Sequence, residues 1–175
     1  VIKLGQSNYT LGVLVVSNFG FMEHLRVDGF PIGRSLVQAQ GKYSRRVNNY
    51  GSIIVVVGTD IPLTHMQVNR VCRRAALGLG RVGSYGAHSS GEIIIGFSTA
   101  NEVARSADHP QVELRAIRDT GLDPVYKAVI ETTEEAILNS LTRAVNMEGV
   151  NNNRVPALDL ELLKQLYTRY NSVTI

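Results

Sequence analysis

The stretch Gly51-Ser52-Ile53-Ile54-Val55-Val56-Val57-Gly58-Thr59 decides the reading of this chain. Five consecutive β-branched residues favour a buried strand from Ser52 to Thr59 over a helix. A hydroxyl stands at the first residue of that strand, directly after Gly51. Glycine has no side chain, so the Gly51 carbonyl can be presented in conformations that other residues rarely adopt. Attack by Ser52 Oγ on that carbonyl would form an ester, and hydrolysis of the ester would free the Ser52 amine. An α-amine has a reference pKa of about 7.7–8.0. Residue 52 would then carry both a nucleophile and a local general base. Taken alone, Ser52 is more simply a residue that opens a strand.

Upstream of Gly51, residues 34–50 lose the apolar rhythm and turn polar and basic (GKYSRRVNNY at 41–50), as an exposed, mobile linker would. Before it, Tyr9 to Ser17 reads as a buried strand, Asn18-Phe19-Gly20 as a turn and Met22 to Val27 as a second strand. Asp28-Gly29 and Pro31 then punctuate the chain. Downstream of the 52–59 strand, Thr64 and Gln67 have capping-box spacing. Val68, Val71, Cys72, Ala75 and Leu79 then recur at helical spacing, with Gly78, Gly80 and Gly83 closing the helix. A loop of small and polar residues (GSYGAHSSG, 83–91) precedes a third strand, Glu92 to Ser98. Asp123-Pro124 has the form of an N-cap with proline at the first helical position. The long helix behind it carries a stripe of small residues suited to close packing. Asn151-Asn152-Asn153 is a break, and Asp159 to Tyr170 a final amphipathic helix. Adjoining strands with several helices and no strict βαβ alternation favour a layered α/β sandwich over a doubly wound sheet.

At 175 residues the chain is one domain's worth of polypeptide, and 44% apolar with 19% charged residues excludes a disordered chain. The net charge is only +3. The basic residues are scattered, with short pairs at Arg45-Arg46 and Arg73-Arg74 and no interleaved aromatics, which argues against nucleic acid. Cys72 is the single cysteine, so no internal disulfide and no cysteine metal site can form. That fits a reducing, cytoplasmic setting. Apolar runs are strand-sized, so no membrane span is expected, and Val1-Ile2-Lys3 has no signal-peptide pattern. The numbering starts at Val1, as expected of a processed chain or a fragment.

Two further groups could carry chemistry. In Ser90-Gly91-Glu92, residues i and i+2 of a strand project to one face, so the carboxylate can orient the hydroxyl. Asn18, at a strand end, can donate to a developing oxyanion. Each alone also fits a plainer role, Glu92 as a solvated strand-edge residue and Asn18 as a turn-former. His24, His65, His88 and His109 form no metal spacing. Of these His88 lies nearest Ser90, and it reads as a loop histidine. GLGRVG (78–83) ends a helix where a dinucleotide site would open one.

Taken together, GSIIVVVGTDIPL (51–63), RRAALGLGRVGS (73–84), HSSGEIIIGFSTAN (88–101) and, upstream, YTLGVLVVSNFG (9–20) resemble the L-aminopeptidase/D-esterase (DmpA-like) and β-aminopeptidase family. The resemblance implies a four-layer αββα sandwich, similar to N-terminal-nucleophile hydrolases but with different connectivity. It also implies self-cleavage at Gly51–Ser52, residues 1–51 ending an α chain and residues 52–175 forming a β chain. Ser52 matches the family nucleophile, Ser90 and Glu92 its accompanying hydroxyl and carboxylate, and Asn18 the oxyanion-stabilising asparagine. The implied activity is hydrolysis of short peptides, amides or esters bearing a free amine, with no metal or organic cofactor, by a homo-oligomer of αβ units. Family members carry a longer α segment before the part seen here, so a further N-terminal segment is expected as a partner. An acyltransferase of the ornithine-acetyltransferase type shares this logic but normally uses threonine at the new terminus. An uncleaved, inactive relative serving in assembly or binding is the remaining alternative.

Overall fold

Alternation along the β-branched run builds the centre of the molecule. In the computed structural model, which describes residues 1–40, 50–105 and 110–173, strand β4 spans Gly51–Thr59. Its odd-numbered side chains, Ile53, Val55 and Val57, are buried, and its even-numbered ones face the other way. Strand β3 (Leu11–Phe19) pairs antiparallel with β4, and β5 (Gly91–Ser98) pairs parallel with it, giving a three-stranded sheet of order β3-β4-β5. A short antiparallel pair, β1 (Ile2–Leu4) and β2 (Ser7–Tyr9), leads into β3.

The parallel pairing of β4 and β5 requires a crossover, and helix α2 (His65–Arg81) makes it. Its start is the capping box foreseen from the sequence: Gln67 N donates to Thr64 Oγ1 at 3.2 Å, and Thr64 N donates to Gln67 Oε1 at 3.0 Å. Val71, Cys72, Ala75 and Leu79 of α2 are buried. Helix α3 (Asp123–Thr142) lies beside it, with Val125, Val129, Thr133 and Ile137 buried. The two helices cover one face of the sheet and enclose the core with Ile53, Val55 and Val57. The small-residue stripe is explained by this contact. Gly78 sits in the middle of α2, where an added Cβ would come within 2.6 Å of the Ile130 carbonyl oxygen and 2.8 Å of Thr133 Cβ. Gly78 and Gly80 therefore do not close the helix, which runs to Arg81.

Four other expectations are corrected. Met22 to Val27 is not a strand: Met22–His24 is a 3-10 turn, held by His24 N to Phe21 O and Leu25 N to Met22 O. The positive φ of Gly20 (87°) turns the chain away from the sheet, and among the described residues the segment makes no strand pairing beyond an isolated bridge from Val27 to Phe30. The expected linker over 34–50 begins as helix α1 (Ile32–Gln40), with Ile32 and Leu36 fully buried, and 41–49 lie outside the described residues. Asn18 and Phe19 lie within β3 rather than in a turn, because the ladder to β4 continues through both. Asp123 is the first helical residue of α3 rather than its cap, since a 3-10 turn at Asp119–Gly121 feeds straight into the helix. Past α3, strands β6 (Met147–Gly149) and β7 (Asn153–Val155) form a hairpin whose turn places Asn151 and Asn152 at positive φ. Asparagine tolerates that region better than most residues. Helix α4 (Leu160–Val173) packs on α1.

The described residues supply one β layer with helices on one face. On the opposite face Leu14, Val16, Ile54, Ile93, Ile95 and Phe97 are 41–67% exposed, and no described residue supplies the second sheet of a four-layer sandwich.

Candidate active site

Because β3 runs antiparallel and β5 parallel to β4, the end of β3 and the starts of β4 and β5 meet at one end of the sheet. Register brings Asn18 opposite Ser52 and Ser52 opposite Gly91. Paired residues present their side chains to the same face, so Asn18 and Ser52 share the open, apolar face. Ser52 is exposed, and its Oγ accepts a hydrogen bond from Gly91 N at 3.3 Å. An added Cβ on Gly91 would approach Ser52 Oγ to 3.3 Å. Gly91 is thus a site residue that its type alone did not reveal; the signal was a glycine set between two polar residues at a strand start.

Ser90 and Glu92 come together as the i, i+2 spacing requires: Ser90 Oγ donates to Glu92 Oε1 at 2.5 Å, partly buried. Glu92 is in register with Ile53, not with Ser52. It therefore stands on the helix-covered face, across the sheet from the Ser52 side chain. The backbone nitrogen of Ser52 lies in the plane of the sheet between the two faces.

Behind Ser52, Gly51 is buried with φ at 87°, in the left-handed region that favours glycine. Tyr50 precedes it, 2% exposed, with Phe21, Tyr85 and His24 forming a ring cluster around it. His88 is exposed on its loop. Cys72 is buried in the core, where desolvation pushes its thiol up, so it is no nucleophile. Among the described residues no group of three or more His, Cys, Asp or Glu side chains could hold a metal ion. No described helix is long and apolar enough to cross a membrane.

The profile of peptidase family S58 matches residues 1–155. The chain belongs to this family. Among its relatives, the β-peptidyl aminopeptidase BapA of Sphingosinicella microcystinivorans is 36% identical over 183 residues, covering 97% of this chain and 46% of that protein. The enzyme of the same name from Sphingosinicella xenopeptidilytica is 33% identical, covering 95% of this chain and 44% of its own. In three dimensions, the L-aminopeptidase D-Ala-esterase/amidase of Ochrobactrum anthropi, described as a variant of the Ntn-hydrolase fold, superposes with a TM-score of 0.87 at 36% identity, over 97% of this chain and 46% of that one. A Pyrococcus horikoshii protein superposes with a TM-score of 0.88 at 39% identity, over 97% of this chain and 45% of that one. The sheet and its helix layer therefore share the fold of these two solved structures. The chain spans less than half the length of the relatives it matches.

Proposed function

We propose that this chain is the nucleophile-bearing part of a self-processing serine aminopeptidase. The register that sets Ser52 between Asn18 and Gly91 at a strand start carries this reading, with membership of a peptidase family behind it. In maturation, Ser52 Oγ attacks the Gly51 carbonyl carbon. The C–N bond breaks as the C–O bond forms, and the Oγ proton passes to the departing nitrogen. Water then hydrolyses the ester, leaving a Gly51 carboxylate and a free Ser52 amine. Residues 1–51 become the end of an α chain and 52–175 a β chain.

In turnover, Ser52 Oγ attacks the acyl carbon of a short peptide, amide or ester bearing a free amine. The Ser52 α-amine takes the Oγ proton. Glu92, through Ser90, orients that amine and favours its protonated form as the proton arrives. Asn18 and the Gly91 N–H stabilise the oxyanion, and water releases the acid. Further polypeptide covers the open sheet face, and αβ units associate as a homo-oligomer. A reducing, cytoplasmic setting suits the unpaired Cys72.

Intact mass under denaturing conditions tests maturation: two species whose masses meet at the Gly51–Ser52 bond are expected, and one uncut species after prolonged incubation refutes it. Ser52→Ala should stay whole and leave amino-acid p-nitroanilides untouched. Hydrolysis by that variant would remove Ser52 from the mechanism.

A further inference from the structure

We propose that Tyr50 is a positioning residue for self-cleavage, its buried ring fixing the Gly51 carbonyl in front of Ser52 Oγ; this rests on the proposed maturation at Gly51–Ser52. A peptide bond that must be attacked by its own neighbour has to be held on both sides. On the far side, Ser52 is fixed by the β4 ladder to Asn18 and Gly91. On the near side, Tyr50 lies just outside that ladder and is held by other means. The Tyr50 carbonyl accepts a hydrogen bond from Gly20 N at 2.8 Å.

The Tyr50 ring meets Phe21 edge-on at 5.2 Å between centroids and Tyr85 at 4.9 Å. His24 closes the cluster, 5.8 Å from Phe21 and 5.4 Å from Tyr85. Edge-to-face packing of this kind fixes ring orientation as well as burying area. With Tyr50 held by ring and carbonyl, and Ser52 by the ladder, Gly51 is confined to the positive φ observed there. Tyr50 Oη is buried with no hydrogen-bond partner among the described residues. The anchor is the ring.

The test follows cleavage of freshly made protein by intact mass for the wild type and four variants, each well below its own Tm. Tyr50→Ala is expected to slow cleavage by at least about tenfold, and Tyr50→Phe to restore it to within about threefold of the wild type. Val71→Ala, a core deletion in α2 away from the site, controls for lost stability and should also cleave within about threefold. Tyr85 is largely exposed, so Tyr85→Ala keeps the core and decides the matter if Tyr50→Ala fails to fold: slowing beyond about threefold is expected. Tyr50→Ala as fast as Val71→Ala, Tyr50→Phe as slow as Tyr50→Ala, or an unchanged Tyr85→Ala overturns the inference while leaving self-cleavage intact. A wild type that stays whole overturns self-cleavage itself, and the positioning role with it.

Discussion

At the scale of single residues, the site is a problem of which side of a strand each group occupies. Ser52, Ser90, Glu92 and Asn18 stand out by type and spacing only as candidates: hydroxyls, a carboxylate and an amide at the ends of apolar runs, each of which alone also fits a plainer role. Their assignment to one site came from the family resemblance. Apart from the shared face of Ser90 and Glu92, their placement relative to Ser52 was not legible, because register between strands separated by a whole helix is invisible in one sequence. Glu92 holds the Ser90 hydroxyl as the i, i+2 spacing implied, but stands in register with Ile53 rather than Ser52, which makes the pair a candidate partner of the Ser52 amine. A neighbouring carboxylate favours the protonated amine, so the midpoint of the rise of kcat/KM with pH should lie at or above about 7.7–8.0. Glu92→Gln should move that midpoint down. An unmoved midpoint, measured on a fully cleaved sample, would detach Glu92 from the amine. Gly91 makes a second case: with Cβ space only 3.3 Å from Ser52 Oγ, Gly91→Ala should displace the hydroxyl and lower kcat by about tenfold or more. Circular dichroism and Tm should stay close to those of the wild type.

At the scale of elements, the segments read correctly had strong local signals, and those missed depended on a partner. The capping box and apolar stripe fixed α2, and five β-branched residues fixed β4. Residues 32–40 became a helix through the buried Ile32 and Leu36 side chains, with Gly33 pressed against the Met22–Leu25 backbone, too sparse an apolar pattern to read against the polar run that follows. Residues 22–27 had the composition of a strand but pair with no strand among the described residues. The α2–α3 contact depends on Gly78, so Gly78→Ala should overpack it and cost about 1–3 kcal/mol in urea unfolding, although alanine is the better helix former. At the start of α2, Asp119 Oδ1 accepts from Gln67 Nε2 at 2.9 Å and Oδ2 pairs with Arg70 at 2.7 Å. The hydrogen bond from Gln67, then that from Arg70, holds the Asp119 carboxyl below its ordinary range. A carboxyl that binds its proton less tightly when folded stabilises the fold above its unfolded pKa, and that contribution is lost as pH falls through the folded one. Asp119→Asn should therefore flatten the fall of Tm below about pH 4, by a small amount because the pair is exposed. An identical acid limb in both proteins would show that the pair contributes nothing there.

At the scale of the whole molecule, the sheet has one finished face and one unfinished one. The helix-covered face closes around Ile53, Val55 and Val57 as an ordinary core. The other carries Leu14, Val16, Ile54, Ile93, Ile95 and Phe97, a continuous apolar surface across three strands, larger than isolated surface residues and of the kind that marks an interface. The relatives this chain matches are more than twice as long, and the same face carries Ser52 and Asn18. An element covering Ile93 and Ile95 would therefore also wall the ground in front of Ser52, the proposed nucleophile. The sequence pointed to four layers only through family likeness, because a strand of unbroken Ile and Val looks the same whether its second face is covered from within the chain or from outside it. Ile95→Lys in the intact protein measures the difference. If the face is covered, an unpaired ammonium is forced into an apolar layer, and destabilisation should exceed about 3 kcal/mol, with loss of aminopeptidase activity following loss of the pocket wall. If the face meets solvent, the change should stay within about 0.5 kcal/mol and leave turnover intact. That outcome would require the pocket to be built on this sheet alone.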